Sequence, residues 1–496
     1  MKVILAGYNL DSEVIEALKR TSPPRADVTP ETLSAAYARI SRDPRPVDEL
    51  RRAAREEVER ARRSNQTIIF KMGHHSVAEH AVFNFDILGV SRLAIEELEK
   101  FRLCSYTEKS QRYIALKDDY VLPEEVQRAG LTGLFVETVR AQNSLYQSLL
   151  ARLKPYFFDK FKERSADPRN HILLEGWAKE DARYVVSLAT EGQLGMTVNA
   201  RNLELLIRRF ASKELAEVKE LNARLYALAK DVAPSIILFT EAGDFDAKSY
   251  AEFGAEAAAL PKKRGKGSPA SGVRLLGRTA AGDDKILAAL AHSTTGQAYE
   301  DCLAGIARLA PKKKKELFKT ALGLMEFYDS PQREFEYADL TFELVVSSSC
   351  FAQLKRHRLA TLTSQPYDPG LGVTVPPSIE ETGGRREFLA MISRTEEAHD
   401  TMKKAIGRAA DYVLTNAHRR RALLKVNVRE LYHISRLRED LTAQWEIRKL
   451  SAALTRQARR VFPLSSMLLG GKDAYAALYK KVFGREPKLL PPKFWK

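Results

Sequence analysis

Arg356, His357 and Arg358 stand side by side in "QLKRHRLATLTS", Gln353 to Ser364, directly after an apolar helical run. Cations near a helix C-terminus are favoured by the macrodipole, by about 0.3–1 kcal/mol each, so the cluster has a purely electrostatic explanation. The sharper alternative is a grip on an anion such as a phosphate, or on an electron-rich ring. A second group is "GHHSVAEH", Gly73 to His80. Its histidines and glutamate suggest a metal, yet H-E-x-x-H is absent, and H-x-x-E-H would need one residue fewer between His75 and Glu79. No cysteine or carboxylate partner is evident nearby, so no metal is expected; a hydrogen-bonded polar turn before a strand accounts for the cluster. The third group is "SYTEKSQRY", Ser105 to Tyr113, where Glu108, Ser110 and Arg112 alternate and so project to one side of an extended loop. Arginine suits phosphate because its planar fork makes parallel charge-assisted bonds, although a solvated polar loop reads equally well at this point.

The elements that must carry these groups occur twice. "FNFDILGVSRLAIEELEKFRLCSY" alternates Phe83, Phe85 and Ile87 like a half-buried strand, then switches to helical spacing at Leu93, Glu97, Leu98 and Phe101. "LTFELVVSSSCFAQLKRHRLATL" does the same, with Leu340, Phe342 and Leu344 followed by Phe351 and Leu354. "VILAG" at Val3 to Gly7 is echoed by "VRLLG", and "TVNARNLELLIRRFASKELAEVKEL" by "KVNVRELYHISRLREDLTAQWEIRKL". Echoes in the same order predict one domain present twice. The basic, Gly/Ser/Pro-rich "LPKKRGKGSPASG" separates them, which divides the chain into 1–259, a linker at 260–272, and 273–496.

With 496 residues, 44% hydrophobic and 29% charged, the chain reads as globular and multi-domain. No run of eighteen or more apolar residues and no apolar segment after the first methionine is present, so a cytoplasmic location without membrane insertion is expected. Cys104, Cys302 and Cys350 are isolated, which argues against a disulfide framework or zinc ribbon. A net charge of +16 favours anionic partners: nucleotides, polyglutamylated cofactors or nucleic acid. The run Arg51 to Arg63 carries mixed charge at helical spacing and reads as structural, and the "KKKK" at Lys312 to Lys315 is expected to be solvated; neither is expected to contact nucleic acid.

Taken together, "GHHSVAEHAVFNFDILGVSR" with "FRLCSYTEKSQRY", and "QLKRHRLAT" with "NVRELYHISRLREDLTAQWEIR", strongly resemble the flavin-dependent thymidylate synthases. That family's signature is R-H-R-x-x-S followed by E-x-S-x-R. The resemblance covers most of both halves. It implies an α+β fold, two family-like domains in tandem with helices packed on an antiparallel-type sheet. It further implies reductive methylation of dUMP to dTMP with methylenetetrahydrofolate and NADPH, through FAD bound at a subunit interface. A homodimer would then rebuild the family's tetramer as a pseudo-tetramer.

By resemblance the two copies have lost complementary parts. The second keeps Arg356, His357 and Arg358 with Gln353 before them, Asn427 and Arg429 of the flavin motif, and Arg438 where an arginine stabilises N3-ionised uracil. A fixed cation beside N3 favours that anion and makes C5 more nucleophilic. Its loop is broken, with Ser364, Pro366 and Asp368 where the family has Glu, Ser and Arg. The first copy keeps the nucleotide loop, Glu108, Ser110, Gln111 and Arg112, and the flavin-side His74, Ser76 and Glu79. Its own cluster has become Lys100, Phe101 and Arg102, with Phe210 in place of the activating arginine and Glu97 in place of the glutamine. One complete composite site is therefore expected, from the loop of the first copy and the base of the second. The family's nucleotide-holding arginine before the "LP" strand end is Arg183 in the first copy but Asp411 in the second; His433 replaces an asparagine near the flavin, and Thr361 the signature serine. These departures, with the basic charge, keep open a related flavoenzyme acting on another pyrimidine or on uridine in RNA. A non-catalytic nucleotide- or flavin-binding member is a further alternative, against which retention of Arg438, Glu108, Ser110 and Arg112 speaks.

Overall fold

The computed structural model describes residues 1–40, 43–112, 114–260 and 272–492. Apart from its end residues, the expected linker at 260–272 lies outside the described residues. The first half forms strands β1 (Lys2–Tyr8), β2 (Val82–Ser91), β3 (Ser105–Glu108) and β4 (Glu191–Asn199); the second forms β5 (Gly272–Arg278), β6 (Asp339–Ser347), β7 (Thr361–Ser364) and β8 (Arg419–Asn427). Each set makes an antiparallel sheet, in the order β1-β2-β4-β3 and β5-β6-β8-β7. Even the irregularity in the first pairing repeats, between Leu5 and Gly7 and between Leu275 and Gly277. The tandem α+β reading of the sequence holds at the level of topology; in register the copies differ in the central pairing, where β2–β4 carries an irregularity between Leu88 and Val90 that β6–β8 lacks.

Period-two alternation sends Phe83, Phe85 and Ile87 into one core, and Leu340, Phe342 and Leu344 into the other. Helices close each core: Ala200–Ala211 and Ala216–Val232 in the first copy, Val428–Arg438 and Trp445–Val461 in the second. Strand turns into helix at the same polar caps. Ser91 and Ser347 accept from the backbone N–H of Ala94 and Cys350, and Asn199 and Asn427 from that of Asn202 and Glu430.

The copies meet about a pseudo-two-fold axis between Ser187 and Thr415, which form an antiparallel bridge. Ala189 N–H donates to Tyr412 O and Ala417 N–H to Tyr184 O, both at 2.9 Å, so exchanging the copies reproduces the contact. Buried carboxylates repeat the symmetry. Tyr184 donates to Glu446 at 2.6 Å and Tyr412 to Glu217 at 2.7 Å, and each glutamate also accepts from the N–H of the strand-ending serine of its own copy. Two further apolar clusters, one around Phe135, Met402 and Tyr412 and one around Tyr146, Tyr184 and Phe388, join residues of both halves.

Arg51 to Arg63 is helical, as its spacing predicts, over Val47–Glu56 and Val58–Asn65, and it is packed: Arg55 pairs with Asp11 and Arg62 with Glu31, both at 2.7 Å. Lys312, Lys313 and Lys315 of the "KKKK" run are exposed, but Lys314 departs from that reading, bonded to Asp284 at 2.8 Å with a side chain 15% exposed. No described helix is long and apolar enough to cross a membrane.

Candidate active site

The helix Ser348–Leu354 ends just before Arg356, so the chain leaves its last turn with three ring or guanidinium groups in succession. Each is spoken for by something more specific than a helix dipole. Arg356 reaches across the copies to Glu108, at 3.0 Å, with its own side chain 50% exposed and that of Glu108 9%. Burial alone would raise the Glu108 carboxyl, but Arg92, Lys355 and Arg356 outweigh it and hold it low. Arg358 donates to the carbonyls of Cys104 and Arg102, while its counterpart Arg102 donates to Ala360 O at 3.1 Å and to Arg358 O at 3.4 Å. His357 accepts at Nε2 from Arg438 Nε, at 2.9 Å. Arg438 is the last residue of its helix, and burial, then the nearby Arg356 and Arg112, lower its guanidinium to about 10.

The loop of the first copy closes the other side. Ser110 Oγ accepts from Arg112 N–H at 3.2 Å, which curls the loop so that Arg112 Nε donates to Glu180 and its Nη2 to Thr442 O of the second copy, at 3.0 Å. Gln111 Oε1 accepts from Asn416 Nδ2 at 3.2 Å, and that amide also donates to Arg183 O at 3.0 Å. Arg183 is buried, and its Nε and Nη2 find no internal partner; the same holds for Arg92 Nη1 and Nη2 and for Gln353 Oε1. Buried donors without partners cost about 1–3 kcal/mol each unless a ligand supplies the acceptor. Arg112, Arg183, Arg356 and Arg438 thus converge beside Glu108 and Glu180, a composition suited to a phosphate and an anionic ring.

Comparison with known proteins decides the family. The model of the thymidylate synthase complementing proteins matches residues 26–235 and again 274–464. The chain belongs to this family. Similar relatives are flavin-dependent thymidylate synthases of Geobacter sulfurreducens, 31% identical over 219 residues (43% of this chain, 82% of the relative), and of Clostridium tetani, 29% over 217 residues (42% and 82%). A protein of Thermoplasma acidophilum, UPF0159 protein Ta1429, is 24% identical over 437 residues, 80% of this chain and 86% of its own length. Among solved structures, the flavin-dependent thymidylate synthase of Helicobacter pylori complexed with FAD and dUMP matches with 16% identity and a TM-score of 0.30, covering 48% of this chain and all of that one. The UMP/dUMP methylase PolB of Streptomyces cacaoi, bound with 5-Br dUMP, matches with 16% identity and a TM-score of 0.32, covering 44% of this chain and 96% of that one.

The remaining family motifs are divided between the copies. Arg429 donates to Pro331 O at 2.8 Å and pairs with Glu336 at 3.3 Å, beside the cap residue Asn427. Glu79 pairs instead with Arg201, in the first copy. The turn His75–His80, which holds Ser76 and Glu79 and follows His74, is thus tied to Arg201 of its own copy. The residues expected by resemblance to hold one flavin fall into two separate groups, one per copy. Asn199 and Arg201 were missed, although "NAR" repeats the N-x-R spacing of "NVR". The His433 ring lies 5.4 Å from that of His357. These two and Glu430 have ligand atoms within 4.8 Å of one another, a grouping the sequence reading did not foresee. The bond accepted from Arg438 leaves the proton of a neutral His357 on Nδ1, which opposes metal ligation there.

The reciprocal side is filled. Tyr367 stands where the first copy has Gln111, and its hydroxyl donates to Glu96 at 3.0 Å. Arg420 pairs with Glu96, its guanidinium 4.3 Å from the Phe351 ring centroid and 4.5 Å from that of Tyr367. At the counterparts of Arg420 and Glu96 the other side has only Gly192 and Ala352. Asp411 is here too, bonded to His399 at 3.1 Å, so the arginine lost from the second copy is missing from the filled side, while Arg183 lies on the open one. Glu97 is held by Lys100 and by Lys213, at 3.1 Å. Burial would raise this carboxyl, but the lysines outweigh it and bring it from 4.5 to about 2. Since the folded-state value is depressed, the stability it contributes is present above pH 4.5 and lost as pH falls toward about 2. Glu97→Gln is expected to lose less of its melting temperature than the parent chain between about pH 5 and pH 3, read by thermal melts at each pH.

Proposed function

We propose that the chain is a flavin-dependent thymidylate synthase with one working composite site per chain, built from a first unit at 1–259 and a second at 273–496. The observation that carries this reading is the meeting of Arg112 with Thr442 and Arg438 across the copies, bridged by Arg356 and Glu108. dUMP would place its phosphate among Arg112, Arg183 and Arg356, with Gln353, Glu108, Ser110 and Gln111 around sugar and base. Arg438, tied by Nε to His357, keeps its remaining guanidinium nitrogens for uracil N3, stabilising the N3 anion. The donors and acceptors present suit FAD: Arg358 and His357 in the base, where His357 Nδ1 and Glu430 Oε1 face each other at 3.6 Å without a hydrogen bond, and Asn427, Arg429 and His433, or His74, Ser76 and Glu79, in the cradles. When bound, FAD supplies the hydride that turns the transferred methylene into methyl. In sum, dUMP, methylenetetrahydrofolate, NADPH and a proton give dTMP, tetrahydrofolate and NADP⁺, with the C5 hydrogen leaving as a proton. A homodimer would set the first-copy cradle of one chain against a neighbour's base.

Asp411 no longer favours a substrate other than dUMP, since it faces the filled side. Titrating flavin-loaded protein with dUMP is expected to saturate at one nucleotide per chain and to perturb the flavin spectrum, and adding methylenetetrahydrofolate and NADPH to yield dTMP. Two nucleotides per chain would contradict the filled reciprocal site. A flavin spectrum unmoved by dUMP with no dTMP would sink the thymidylate reading and direct attention to uridine in RNA.

A further inference from the structure

Arg92 begins the helix Arg92–Leu98, directly after the cap residue Ser91, and its backbone N–H donates to Thr190 O at 3.0 Å. The residue is 3% exposed, and neither Nη1 nor Nη2 has a hydrogen-bond partner among the described residues. The charges nearby do not compensate it. Burial raises the Glu108 carboxyl, and Arg92 is the foremost of the cations that hold it low. Arg183, Lys355 and Arg420, however, are lowered by burial and then further by Arg92, so this guanidinium also lies among cations. Two idle buried donors in positive surroundings burden the empty fold, and an arriving anion would relieve them.

Arg92 lines a recess of about 10 Å³ together with Glu108, Ser110, Gln111 and Gly192. That is about the space one water molecule requires, so the recess admits a single oxygen and not a whole ligand. Ser110 and Gln111 belong to the loop that carries Arg112, and Gln111 is linked through Asn416 to Arg183.

The internal duplication provides a control. The matching strand-to-helix turn of the second copy carries Ser348, whose hydroxyl bonds that of Tyr367 at 2.8 Å. The shared fold therefore does not call for an arginine at this turn. On that filled side Arg420, the counterpart of Gly192, comes with its own carboxylate, Glu96. The filled side thus buries a cation with a partner, and the open side a cation whose terminal nitrogens have none.

We infer that Arg92 is a specificity-determining residue of the open site: its two terminal nitrogens take one oxygen of the nucleotide's phosphate, received in the recess beside Ser110 and Gln111. The inference rests on the function proposed above, and adds to Arg112, Arg183 and Arg356 a guanidinium outside both the loop and the Arg356–Arg358 cluster. The site then requires a phosphorylated nucleotide, and a nucleoside leaves Arg92 unanswered.

The test compares the flavin-loaded parent with Arg92→Ser, which copies the filled side, by calorimetry and steady-state kinetics. Arg92→Ser is expected to raise the Kd for dUMP by about tenfold or more, with the loss on KM and not on kcat, and to change deoxyuridine binding by less than about twofold. Inorganic phosphate should raise the melting temperature of the parent more than that of the variant. The ligand-free melting temperature should hold or rise in Arg92→Ser, since two unpaired buried donors are removed; a cation that only braces Glu108 would lower it. Arg92→Lys, which keeps the charge beside Glu108, should weaken dUMP as well, because one ammonium cannot reproduce the fork.

Equal dUMP affinity in the parent and either variant would overturn the assignment, leave the nucleotide reading in place and give the recess to a water. A ligand-free melting temperature that falls in Arg92→Ser would overturn it too, in favour of the bracing role. A parent that binds no dUMP, yet is stabilised by inorganic phosphate only while Arg92 is present, would uphold the anion contact and overturn the nucleotide reading instead.

Discussion

Arg438→Ala is expected to lower the rate of dTMP formation by about 10²- to 10³-fold, the range seen when one preorganised donor to a developing anion is removed. The guanidinium is buried, and its Nε is fixed by His357 at 2.9 Å, so its orientation is set before any substrate arrives. An interaction of this kind acts on the ionised ring more than on the neutral one, so the loss should fall on kcat more than on KM. Arg438→Lys should rescue little, because one ammonium cannot both donate to His357 and present a planar fork to the base. Steady-state kinetics on the flavin-loaded variants decide it; an alanine variant with near-parental kcat would remove Arg438 from the chemistry.

Arg112→Ala should instead weaken nucleotide binding, by about 10- to 100-fold, the equivalent of about 1.5–3 kcal/mol for a charge-assisted bond. The substitution also leaves Glu180 buried without its cation, in a place where burial already raises its carboxyl. Flavin content should be unaffected, because Arg112 belongs to the loop and not to either cradle. Calorimetry with dUMP, with flavin absorbance as control, distinguishes this from general unfolding. An unchanged dUMP affinity would mean that the loop does not hold the phosphate.

Much of this was legible in the sequence because the relevant signals are local. Alternation at Phe83, Phe85 and Ile87, followed by helical spacing, marks β2 and the helix after it, and the same switch marks β6. The echo of "VILAG" in "VRLLG" marks the matching edge strands β1 and β5. What escaped depends on the pseudo-two-fold axis, which no local pattern encodes. Arg183 and Asp411 look like one position gained and lost, yet the axis sends them to opposite sides, so the loss of one costs the other side nothing. Arg420, Glu96 and Tyr367 fill the reciprocal side from segments hundreds of residues apart, as the spacing of 324 between Arg420 and Glu96 shows. Glu180 and Glu430, which hold Arg112 and lie 3.6 Å from His357, read in sequence as ordinary helix carboxylates.

The central claim is that one chain holds both halves of one site. Co-expressing Arg112→Ala chains with Arg438→Ala chains, purifying the mixed assemblies and assaying dTMP formation tests it most directly. Since Arg112 meets Thr442 and Arg438 within a single chain, every site in such a mixture lacks one arginine or the other, and activity should stay at the level of the single variants. Recovery of a substantial fraction of parental activity would mean that loop and base come from different chains, and would contradict the account.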